Sequence, residues 1–239
     1  MKRLTFLLLM WLLLALVGCG GNDEPAPTAA PPTPTPSPQD WLNGAIDAWN
    51  QSQSFHFSLV LENRTIPLDP SGTLAFGNAE GNVVAPDQFQ SKTVVKTLLG
   101  NVEVGFIGIG DDQWLTNPLN GQWEKVEIAS AIQVSDLFNQ QNGIGKLVSD
   151  TANLERAADE TIEGVETIHL RGDLPGSVLA DFAPELANQD KVNIDLWISQ
   201  SDTRIQKLVI TEPPTDGISP IWTFLFTQYD AVPAIEPPI

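Results

Sequence analysis

From Phe55 the chain alternates: Phe55, Phe57, Leu59 and Leu61 fall on one face of an extended segment, and His56, Ser58, Val60 and Glu62 fall on the other. A period of two belongs to a strand with one buried and one solvated face, and an amphipathic helix cannot produce it. Shorter runs of the same kind predict strands around 72–77, 82–85, 90–99, 102–109, 113–116 and 122–127. Gly, Asn, Asp and Pro separate them as an antiparallel meander requires. Further strands are predicted at 153–158, 164–172, 191–199, 204–211 and 221–229, with Gln200-Ser201-Asp202-Thr203 as a hairpin turn.

Three segments follow the helical period instead. Ser37-Pro38-Gln39-Asp40 reads as an N-cap, a proline at the first helical position and an acid at the third, opening a helix to about Gln53. Trp41, Leu42, Ala45, Ile46 and Trp49 share one face of it. Ser135-Asp136 caps a block through Asp150, which Gly143 and Gly145 split, and a third helix is predicted from Pro175 to Leu186. Strands, then helices, then strands make an α+β domain.

The folded part is expected to span 39–232. Between Pro25 and Pro38 seven of fourteen residues are proline and the others are Ala, Thr or Ser, a polyproline composition that cannot bury a core. Residues 19–38 are therefore a tether, reaching roughly 60 Å if extended. Residues 233–239 show no periodicity and read as a disordered tail. At the other end, Lys2-Arg3 precede an apolar run from Leu4 to Leu16, too short for the roughly 20 residues of a spanning helix and typical of a secretory signal, here 1–18. Leu16-Val17-Gly18-Cys19 resembles the bacterial lipobox, whose cysteine thiol accepts diacylglycerol before cleavage. Cys19 is the sole cysteine, so it is the lipidation site this resemblance implies, and no disulfide is available. The lipid holds the chain to the cell membrane, or to an outer membrane where one exists. Two or three acyl chains suffice where one would not.

Twelve Lys plus Arg against 30 Asp plus Glu give a net charge of -18, which excludes nucleic acid as a partner. No catalytic or metal site emerges, and no cofactor is called for. His56 and His169, the two histidines, lie in separate strands without a second ligand at metal-binding spacing and read as structural. No Gly-x-Ser-x-Gly elbow occurs, Gly105-Phe-Ile-Gly-Ile-Gly110 opens no helix, and Asp111-Asp112 lacks calcium-loop spacing.

Taken in order, Ser54-Phe-His-Phe-Ser58, Gly72-Thr-Leu74, Leu147-Val-Ser-Asp-Thr-Ala-Asn-Leu154, Glu163-Gly-Val-Glu-Thr-Ile-His-Leu-Arg-Gly-Asp-Leu-Pro175 and Val192-Asn-Ile-Asp-Leu-Trp-Ile-Ser199 resemble the LppX/LprAFG family of actinobacterial lipoproteins. The resemblance covers the whole mature domain. It implies a curved antiparallel β half-barrel with helices packed across its concave face, as in LolA, LolB and RseB, and a cavity between them that takes acyl chains. The residues alone fit either such a cavity or a dry core: Lys207–Ile210 and Ile221–Phe226 are apolar on both faces, so both must be partly covered. With the resemblance, the candidate cavity residues are Phe57, Leu59, Leu137, Phe138, Leu147, Leu179, Phe182, Phe224 and Phe226. The implied function is an extracytoplasmic, lipid-anchored protein that binds and carries or presents a lipid or acylated glycolipid in the cell envelope. It is not expected to be an enzyme. The alternative is a sensory or scaffold lipoprotein of the RseB kind that binds an envelope protein partner.

Overall fold

The computed structural model describes residues 35–126, 143–180 and 186–238, all but Thr35 within the compact unit Pro36–Ile239. The first helix, α1 (Pro38–Gln51), starts where its capping signals place it. The Ser37 hydroxyl accepts from the Asp40 amide at 3.2 Å, and the Asp40 carboxylate accepts from the Ser37 amide at 2.8 Å. This reciprocal box satisfies two otherwise orphaned donors and contributes about 1 kcal/mol. The Ser37 hydroxyl, donating to the Asp40 carboxylate at 2.7 Å, and the Ser37 amide beside it hold that carboxyl below its usual range. Its contribution is thus present above the unfolded carboxyl range and lost as pH falls through the lowered value. Leu42, Ala45 and Trp49 form the buried face of α1, with Trp41 and Ile46 half-buried beside it.

The strands are β1 (Ser54–Glu62), β2 (Ile66–Pro67), β3 (Leu74–Val84), β4 (Gln88–Thr97), β5 (Gly100–Ile109), β6 (Asp112–Thr116), β7 (Trp123–Val126), β8 (Ala152–Arg156), β9 (Glu160–Ile162), β10 (Val165–Leu174), β11 (Val192–Ser199), β12 (Ile205–Thr211) and β13 (Ile221–Thr227). They form one open antiparallel sheet in the order β7-β6-β5-β4-β3-β1-β13-β12-β11-β10-β8, with β2 beside β3 and β9 beside β10. The chain starts in the middle, meanders out to β7, crosses to the far edge, and meanders back until β13 zips onto β1. A helical turn, α2 (Ile144–Ser149), precedes β8 and packs against α1. The fold is α+β: a curved half-barrel with helices on its concave face.

Several expectations change in detail. The separate strands predicted at 72–77 and 82–85 are one strand, β3, with a register shift between Phe76 and Ala79. The small residues that read as a break instead admit a bulge and a close cross-strand approach: a Cβ at Gly81 would lie 2.1 Å from the Gln90 carbonyl oxygen. The helix predicted from Pro175 appears as a 3-10 turn, Gly176–Leu179, with 181–185 outside the described residues. Gly176 is pinned where a Cβ would lie 1.9 Å from the Leu186 carbonyl oxygen, an approach that only glycine admits. Of the helix predicted over 135–150, Ile144–Ser149 is seen and 135–142 lies outside the described residues.

The segment read as a disordered tail has no helix or strand, yet it packs. The Val232 amide donates to the Ser54 hydroxyl and the Ile235 amide donates to Gln88 Oε1 at 2.9 Å. Ile235 is buried against Ile107 and Trp114 on the convex face of β5 and β6. That small apolar cluster on the outer face is what the tail covers, and single-strand periodicity cannot reveal it.

Candidate functional site

The concave face is built from alternation. On β1, Phe55, Phe57, Leu59 and Leu61 are buried while His56 and Ser58 are half-buried and Val60 and Glu62 exposed, as the period of two predicts. On β13 the buried set is Trp222, Phe224 and Phe226, which settles which face of the last strand looks inward. Pairing is in register: Phe57 lies opposite Phe226 and Leu59 opposite Phe224. Four of the nine candidate residues thus form two adjacent cross-strand pairs. Leu147 on α2 and Leu179 in the 3-10 turn join the same buried cluster. Leu137, Phe138 and Phe182 lie outside the described residues, as do Cys19 and the preceding Leu16, Val17 and Gly18.

The cluster extends beyond those candidates. Trp49 of α1 lies 4.8 Å from Phe55 and 5.2 Å, edge-on, from Phe226, which ties the helix to the β1–β13 seam. Phe89 of β4 stacks on Phe57 at 5.6 Å. One inward row runs Leu170, Leu196, Leu208, Phe224, Leu59, Ala79, Thr93 across the sheet. Side chains are large from β10 to β1 and small from β3 to β4, where Gly81 and Ser91 repeat the pattern beside Phe57. These two rows therefore change from large to small side chains at the β1/β3 seam, while Phe76 of β3 and Phe89 of β4 flank them within the same buried cluster. The signal for Trp49 and Phe89 was present in the sequence as an apolar helix face and a strand; their convergence depends on register.

Two polar features belong to this side. Glu212, buried after β12, accepts from Arg64 NH1 at 2.7 Å and from Trp222 Nε1 at 2.6 Å. The Arg64 guanidinium also lies 5.5 Å from the Trp222 ring, so a buried ion pair closes the core at the C-terminal end of β1. The indole N–H groups of Trp41 and Trp49 are buried with no acceptor among the described residues, an arrangement native cores rarely leave unanswered.

The convex face has a different chemistry. His169 stacks on Trp197 at 4.2 Å, Lys207 Nζ sits 4.3 Å from the same ring, and His169 Nε2 bonds Asp195 Oδ1 at 2.7 Å. Beside them an open polar cleft of about 320 Å³ is lined by Asn153, Glu155, Arg171, Asp173, Lys191 and Asp195. Four of its five charged side chains are paired: Asp173 with Lys191 at 3.3 Å, and Asp195 with Arg171 at 2.8 Å. It contains none of the apolar candidates.

A family model described as LppX_LprAFG lipoprotein matches residues 37–232, most of the chain. The chain belongs to that family. Among solved structures, this LppX_LprAFG member is similar to LprF from Mycobacterium bovis at 17% identity and a TM-score of 0.66, over 87% of this chain and 99% of that one. It is similar also to the lipoprotein LppX from Mycobacterium tuberculosis, at 18% identity and a TM-score of 0.61, over 85% and 100%. At these identities the likeness establishes the half-barrel fold. No curated protein matches the chain by sequence.

Proposed function

We propose that this lipoprotein is held to the cell membrane through Cys19 and binds a lipid or acylated glycolipid between its sheet and helices, carrying or presenting it within the envelope. The observation that carries the reading is a step in side-chain size across the concave face: aromatic and aliphatic residues on β1 and β13 beside two rows of small ones, Ala79 with Thr93 and Gly81 with Ser91, on β3 and β4. An acyl chain laid along that step is recognised by apolar area alone, at about 0.8 kcal/mol per buried CH2. The indole donors of Trp41 and Trp49 suit an ester carbonyl or hydroxyl at the polar end of such a ligand.

Bulk separates a cavity from a solid core. Inserting a large ring into a packed site costs about 1–3 kcal/mol, whereas in a cavity it occupies ligand volume. Leu179→Trp is expected to keep nearly the parent melting temperature in delipidated protein and to lose fluorescent fatty-acyl binding. A large fall in melting temperature, with no acyl binding by the parent, overturns the carrier reading. Native mass spectrometry of protein from its own membranes then distinguishes a bound acyl lipid from a bound polypeptide.

Anchoring has its own test. Cys19→Ser removes the one thiol available for lipidation, so the variant is expected to remain at precursor mass. Recovery in the detergent phase at the normal mature mass would exclude lipidation at this residue.

A further inference from the structure

Antiparallel pairing assigns every strand end, and hence every turn, to one of two ends of the sheet. Glu62, Leu74, Thr97, Gly100, Thr211 and Ile221 share one end, because Glu62 pairs with Ile221, Leu74 with Thr97, Thr97 with Gly100, and Thr211 with Ile221. Among the described residues, all the exposed large apolar side chains gather at that end. Leu68, Leu98, Leu99, Leu119 and Ile218 stand in its loops, Leu74 opens β3, and Val60 lies near the end of β1. Leu98, Leu99 and Leu119 are 85%, 101% and 93% exposed.

These leucines are held out by ordered turns. The Leu99 amide donates to the Thr97 hydroxyl, and that hydroxyl donates to the Gly100 carbonyl. The Leu119 amide donates to Asn117 Oδ1, while Asn117 and Gln122 close the turn at 2.8 Å. The nearby acid Asp69 is engaged within its own loop by Ser71, Thr73 and the Leu74 amide. Glu62 and Asp216 stand exposed at the leucine end too, but the opposite end has no exposed large apolar side chain among the described residues. Its turns carry Asp87, Asp111, Asp159, Glu163, Asp202 and Asp230, all exposed.

We propose that the leucine end docks on the bilayer, with the tips at 98–99 and 119 entering the headgroup–acyl boundary of a neutral or zwitterionic surface. This rests on the anchored-lipoprotein reading, which keeps the domain within the tether's reach of about 60 Å from a membrane. A bilayer suits the feature better than a protein partner. Protein hot spots are rich in Trp, Tyr and Arg set in packed patches and poor in Leu, whereas separate protruding leucines bury their area by insertion. Docking this end turns the six acids of the far end away from the membrane, and Glu62 and Asp216 at the docking end favour a surface without anionic headgroups.

The test uses the mature lipidated chain on phosphatidylcholine vesicles. An environment-sensitive fluorophore is attached at Leu99→Cys, at Leu119→Cys and, on the far end, at Asp202→Cys. Blue-shifted emission and quenching by doxyl-labelled lipid are expected at the first two positions and not at the third. Replacing both Leu98 and Leu99 with serine, with the label at 119, is expected to weaken docking by about tenfold per leucine. Their full exposure means that the melting temperature should not move. Adding anionic lipid should not strengthen docking. Aqueous spectra at 99 and 119, equal shifts at all three positions, or docking that requires anionic lipid would each overturn the proposal. Co-flotation with the vesicles reads the anchor separately, and acyl binding in detergent reads the cavity, so either can fail while docking is still measured.

Discussion

Phe226→Ala is expected to cost about 3–5 kcal/mol, the largest effect of any single core truncation in this domain. The side chain is fully buried and lies opposite Phe57 across the seam. It also meets Trp49 at 5.2 Å, Phe55 at 5.7 Å and Phe224 at 6.2 Å. Its removal therefore leaves a hole where helix and both halves of the sheet meet, and collapse from any one side is resisted by the other two. Leu225→Ala, one residue earlier on the half-buried convex face, is the control, with an expected loss of about 1 kcal/mol. Urea unfolding monitored by tryptophan fluorescence measures both. Equal losses at 225 and 226 would refute the assignment of faces on β13.

Glu212→Leu is expected to be nearly as damaging, at about 3–5 kcal/mol, for an electrostatic reason. The carboxylate answers Arg64 and the Trp222 indole in a place where both side chains of the ion pair are largely shielded, at 14% and 4% exposure. Deleting one partner strands a charge away from water, which costs more than the pair contributes. The double variant Arg64→Met with Glu212→Leu should recover much of the loss, since an apolar pair of similar bulk carries no desolvation penalty. Recovery stays incomplete because Trp222 Nε1 has lost its acceptor. A double variant no more stable than Glu212→Leu would show that the two residues are not energetically coupled.

What the residues disclosed in advance is local. The cap at Ser37 needs only Pro38 and Asp40 beside it. The faces of β1 need only the next residue but one, and the turn after β11 needs four polar residues. The family resemblance supplied the half-barrel and the idea of a concave site. What stayed hidden is whatever depends on the register between distant segments. Ala79, Gly81, Ser91 and Thr93 are unremarkable along the chain and become a floor only when β3 and β4 pair beside β1. Glu212 and Arg64 are ordinary charges until the loops after β12 and β1 meet. Ile235 sits among prolines, and nothing near it announces that Ile107 and Trp114 wait on the outer face. The exposed leucines were visible as letters, but which end of the sheet they share is a product of topology.

The seam between β1 and β13 has a consequence for how such a chain is made. The strand that follows α1 pairs with β3 nearby in sequence but finds its second partner only in residues 221–227, and the hydrogen bond from Val232 to Ser54 joins groups 178 positions apart. Until residues 221–227 have emerged, β1 has a bare edge on one side and the two wings of the sheet are not joined. Pairing over such separations is slow. A chain whose two wings cannot close before this strand is available stays unlocked while the residues in between are being made. The topology thus postpones closure of the sheet until residues 221–227 have been made, and a stop codon before Ile221 would remove the closure on which both wings depend.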